Sequence, residues 1–118
     1  MISRKEFEEL VEQALGELPP RFADLLQNIA VIVEDEPSDS DLAALADRGH
    51  ELLGIYRGTP MTKRRHNIVA ALPDQIAIFR GPILRVTANR GEAERQIRDT
   101  VIHELGHYFG LDDEGMAY

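Results

Sequence analysis

His103-Glu104-Leu105-Gly106-His107-Tyr108-Phe109-Gly110-Leu111-Asp112-Asp113 decides how this chain is read, and it has the form H-E-x-x-H-x-x-G-x-x-D. On a helix turning 100° per residue, His103 and His107 fall about 40° apart on one stripe and about 6 Å apart along the axis. Two imidazoles so placed can hold one zinc ion between them. Glu104 lies on the neighbouring strip, where its carboxylate can reach a metal-bound water without becoming a ligand. Two histidines leave a zinc site short of a third protein ligand. Gly110 can adopt a positive φ, end the helix and turn the chain back, so that Asp113 could supply it. Asp112, one residue closer, is the competing candidate; its other role would be a hydrogen bond behind the ligands or a turn cap.

At average residue usage, H-E-x-x-H arises by chance in a chain this long on the order of a few times per thousand. The Gly and Asp at fixed offsets cut this by roughly two further orders of magnitude. The pattern resembles the zincin metallopeptidases, and among them the metzincin-type variants with an Asp in the last position. The run His103–Asp113 in so short a chain is similar to the small bacterial zincin-like metallopeptidases. That resemblance implies His103, His107 and Asp113 as the ligands of one Zn2+ per chain, and Glu104 as the catalytic base. It also implies a peptide or protein substrate, laid as an extended antiparallel strand on an edge strand above the metal. Only eleven residues follow His107, which argues against the zincin branch whose third ligand is a Glu on a second, downstream helix. Two neutral histidines and one carboxylate leave a formal charge of +1 on the site, where three histidines would leave +2. A slow or selective peptidase is the expectation.

With 118 residues and a 43% hydrophobic fraction, one globular domain over residues 1–118 with one modest core is expected. The absence of cysteine removes disulfides and thiolate metal sites, so a metal has only His and carboxylates to bind it. A net charge of −8 argues against non-specific nucleic-acid binding. No apolar run approaches the ~20 residues of a membrane span, and Met1-Ile2-Ser3-Arg4-Lys5-Glu6 leads into a polar helix rather than an apolar signal core. A cytoplasmic protein, with no nucleic acid and no membrane among its partners, is expected.

Ser3 with Glu6 is a capping box, and Phe7, Leu10, Val11, Ala14, Leu15 and Leu18 keep helical spacing up to Pro19-Pro20. Arg21 to Leu26 suits a short helical turn. The β-branched run at 28–33 predicts a buried central strand, and Glu34-Asp35-Glu36 after it a solvated turn, its functional alternative being a second metal site. A second helix is expected from Ser38 through Asp47, with Leu42, Ala43, Leu45 and Ala46 inward, then a weaker strand at 52–57. Lys63-Arg64-Arg65-His66 reads as a solvated basic loop; it is the sole basis for a nucleic-acid role. Residues 75–80 predict an edge strand, closed by Gly81-Pro82; it is either a plain structural edge or, as the resemblance implies, the strand along which the peptide would lie. A short helix or turn at 83–86 follows. Asn89 with Glu92 caps a long last helix with Ile97, Val101, Leu105 and Tyr108 inward, and Glu94 and Arg98 spaced as a surface pair.

These elements predict an α+β fold: a minimal zincin-like core in which a small mixed sheet packs against helices, the last of them long and zinc-binding. Tyr108, Tyr118, His50 and His66 are candidates to stabilise an oxyanion. Met61 and Met116 are candidates for the Met-containing turn that metzincins carry below the metal. The alternative to a peptidase is a zinc-held scaffold serving a partner protein. Glu104 separates the two, because a purely structural site needs no carboxylate there.

Overall fold

The structure is a computed structural model, and it describes residues 2–43, 50–58 and 74–108, the side chain of Tyr108 excepted. Helix α1 (Arg4–Gly16) starts at the predicted capping box. The Ser3 hydroxyl accepts from the Glu6 N–H at 3.2 Å, and the Glu6 carboxylate accepts from the Ser3 N–H at 3.3 Å. Its spaced apolar residues Phe7, Leu10, Val11 and Ala14 are buried. A short helix α2 (Pro20–Leu25) and a 3-10 turn (Leu26–Asn28) lead into β1 (Ile29–Glu34). After it come α3 (Asp39–Ala43), β2 (Gly54–Arg57), β3 (Asp74–Phe79), α4 (Arg80–Val86) and α5 (Arg90–Tyr108).

The three strands form a mixed sheet in the order β1-β3-β2, giving the expected α+β architecture. β1 runs parallel to β3, with Ile29 opposite Asp74 and Glu34 opposite Phe79. β2 runs antiparallel to β3, with Gly54 opposite Ile78 and Arg57 opposite Gln75. This reverses two expectations. The 28–33 strand is at the edge of the three rather than central, and the 75–80 strand is central rather than an edge. An apolar run reports burial on both faces of a strand, not its place in the sheet. Ile76, Ala77, Ile78 and Phe79 are wholly buried, whereas most of β1 is half-buried. Pro82 misled because it belongs to the first turn of α4, where a missing N–H breaks no helical bond. β3 is bonded on both sides, so an added peptide strand finds no open edge along 75–80.

One face of the sheet makes the core. Ile29, Val31 and Val33 of β1 join Ile76 and Ile78 of β3 against α1 and α5, as the two-residue alternation of strands requires. Within α5, Ala93, Ile97 and Val101 are fully buried and Leu105 nearly so. The Asn89 side chain accepts from the Glu92 N–H and the Glu92 carboxylate from the Ala88 N–H, both at 2.9 Å, which starts α5 as predicted.

The acidic turn after β1 is solvent-exposed at Asp35 and Glu36, as expected, and each carboxylate holds an arginine rather than joining a metal-ligand group. Glu34 takes two bonds from Arg57 at 2.9 and 3.0 Å, Asp35 one from Arg80 at 3.0 Å, and Glu36 two from Arg85 at 2.8 and 2.9 Å. Arg57 also donates to Asp41 at 2.8 Å. Burial pushes the Asp41 carboxyl up, but bonds from Arg57 and Ser38 outweigh it and leave it below the ordinary value. Drawing Asp41 inward turns α3 over, so Leu42 and Ala43, expected inside, face solvent. The rest of the predicted second helix, including Leu45, Ala46 and Asp47, lies outside the described residues.

Glu94 departs from its expected pairing as well. Its carboxyl lies near that of Glu17, at the end of α1; the interaction with Glu17, then burial, then the Glu17 charge hold it above the ordinary range, with Arg98 opposing. An acid whose pKa is raised by folding binds its proton more tightly in the folded chain. The pair therefore stabilises below the unfolded pKa and loses that contribution as pH rises through the raised value. Glu94→Gln should raise Tm at pH 7–8, with the gain fading towards pH 4. The same Tm shift at both pH values would show that the pair is not what the substitution relieves.

Candidate metal centre

The last turns of α5 present the motif. His103 and His107 stand side by side with ring centroids 4.8 Å apart and planes inclined at 68°. Their side chains are 11% and 31% exposed. Glu104 lies beside both rings and is only 5% exposed. Its Oε1 is 3.1 Å from His107 Nδ1, and its Oε2 is 3.8 Å from His103 Nε2. One ligand atom from each of the three lies within 4.8 Å of the others.

Packing explains why these groups converge at β2. Val101 and Leu105 anchor α5 in the core, and Gly54 lets the helix come close to the strand. A Cβ at Gly54 would stand 2.6 Å from Thr100 Cγ2 and 2.9 Å from the Ala77 carbonyl oxygen. Two residues on, the Tyr56 main-chain N–H donates to Glu104 Oε1 at 2.8 Å. At Gly58, φ is 152° and a Cβ would overlap the buried Asp74 carboxylate, so β2 ends tightly against the start of β3.

The donor set suits a divalent cation such as zinc. Tetrahedral coordination at 2.0–2.1 Å holds two nitrogens roughly 3.3 Å apart, a spacing that two adjacent imidazoles reach by side-chain rotation. The buried carboxylate beside them offsets the cation's charge. Of the sequence-predicted residues, the fold thus brings His103, Glu104 and His107 together, and His50 is exposed. Asp113, Asp112, Gly110, Met61, Met116, Tyr118, His66, Lys63-Arg64-Arg65 and the Tyr108 side chain lie outside the described residues. Sequence reasoning missed Tyr56, whose contribution is a main-chain N–H that no side-chain pattern reports. The one hint was the pair of glycines, Gly54 and Gly58, bracketing a short strand.

A profile of the zincin-like metallopeptidases matches residues 26–118. The chain belongs to that family. A solved structure described as a conserved hypothetical protein from Thermo thermophilus is similar, with a TM-score of 0.57 and 29% identity, over 92% of this chain and 94% of that one. No curated protein matches the chain.

Proposed function

We propose that this chain is a zinc-dependent peptidase in which His103, His107 and Asp113 hold the metal and Glu104 is the general base. The observation that carries this reading is the Glu104 carboxylate, buried beside two histidines one helical turn apart and held by a main-chain donor. A zinc ion bound there supplies Lewis-acid polarisation of a carbonyl and acidifies water. His103 and His107 offer neutral imidazole nitrogens from one helix, so their spacing is fixed by the helix itself. Glu104 accepts a proton from the attacking water and returns it to the leaving amine. The Asp113 carboxylate brings the ligand set to one negative charge, which moderates the electrophile and favours a slow or selective enzyme.

The substrate class is peptide. Because β3 is interior to the sheet, the peptide does not add along residues 75–80, and its place is set by the cleft beside Glu104. To test the reading, the metal-free chain is loaded with one equivalent of zinc and incubated with a broad peptide library. Cleavage should appear with zinc and vanish on chelation. No cleavage by the zinc-loaded chain would replace the peptidase with a zinc-held scaffold.

A further inference from the structure

The peptide backbone of β2 does more than border the site. In the antiparallel ladder the Leu53 carbonyl accepts from the Phe79 N–H at 2.9 Å. Hydrogen-bonded and non-hydrogen-bonded positions alternate along such a pair, so residues 53, 55 and 57 face β3. Gly54 and Tyr56 turn their N–H and C=O groups the other way. The outward N–H of Tyr56 meets Glu104 Oε1 at 2.8 Å, the length of a charge-assisted bond. A carboxylate as buried as Glu104 needs such a partner, and this one cannot rotate away. It is fixed to the ladder on one side, and on the other the contact of Gly54 with Thr100 sets the distance between strand and helix.

We infer that the Tyr56 main-chain N–H is the positioning group of Glu104: it pins Oε1 and leaves Oε2 as the oxygen that takes the proton. This inference rests on the peptidase reading for its consequence and on the ladder geometry for its contact. A side chain with three rotatable bonds is thereby held in one rotamer by a group that substitution of the Tyr56 side chain leaves in place. Tyr56→Phe should therefore leave the contact intact.

The test removes the N–H alone. The residue-56 amide is replaced by an ester, through incorporation of the α-hydroxy analogue of tyrosine. Zinc content should be unchanged and KM similar, while kcat falls about ten- to a hundred-fold, the scale of a misplaced reacting group. A second measurement needs no catalysis. In the metal-free wild type the Tyr56 amide proton should resonate downfield and exchange slowly, and Glu104→Ala should abolish both properties. If the wild type cleaves peptide and the ester chain cleaves with the same kcat, the inference is overturned while the peptidase reading stands. If the Tyr56 amide resonance ignores Glu104→Ala, the inference is overturned whether or not any peptide is cleaved, and whether or not the ester chain folds.

Discussion

Glu104→Gln should keep one zinc per chain and the native fold while losing peptide cleavage by roughly 10²- to 10⁴-fold, the range of general acid–base catalysis. Gln matches Glu in shape, and its side-chain carbonyl can still accept the Tyr56 N–H, so the strand contact survives. What it cannot do at neutral pH is accept a proton from water. Because the contact is kept and no cavity is made, unfolding should shift by no more than about 1 kcal/mol, as for an ordinary substitution. Zinc content, thermal unfolding and cleavage rate, measured on both chains, separate chemistry from folding. Equal cleavage rates would remove Glu104 from the reaction.

His103→Ala should reduce bound zinc from one per chain to none at micromolar metal. The two histidines share one helical turn, so losing either leaves no pair to chelate, and a lone imidazole with a carboxylate is a poor zinc site. The wild-type chain should melt higher with zinc than without it, because zinc binds the folded state, and this difference should disappear in the variant. Unchanged zinc content would defeat the ligand assignment. The same measurement settles the third ligand: Asp113→Ala should lose the metal and Asp112→Ala keep it. The opposite pattern would transfer the role to Asp112.

Local rules carried much of this fold, because the groups that enforce them are neighbours in sequence. Ser3 with Glu6 and Asn89 with Glu92 each satisfy helix-end donors within four residues, so they could be read directly. The His103–His107 pair was legible for the same reason, its geometry being that of one helical turn. Strand order was not legible. Whether 28–33 or 75–80 lies in the middle depends on which strands meet, and both runs are apolar enough for either place. The fate of Glu34, Asp35 and Glu36 was hidden too, since Arg57, Arg80 and Arg85 reach them across 23 to 49 residues. Leu42 shows how one half-buried ion pair can overrule an apolar pattern, with Asp41 turned in and the leucine left 41% exposed. The strand that wraps the site was half-legible: its position followed from composition, its main-chain bond to Glu104 did not.

The docking of α1 on α5 ties together parts of the chain that are far apart in sequence. Arg90 reaches Glu6 across 84 residues of chain, and Arg80 reaches the Ile2 carbonyl across 78. Closing a loop of that length costs about 4 kcal/mol in chain entropy by the logarithmic law. Without α1, the stripe of Ile97 and Val101 is covered from the sheet side alone, and the helix bearing both histidines loses part of its anchorage. A chain without its first helix should therefore hold the histidine-bearing helix less firmly and expose part of that stripe to aggregation.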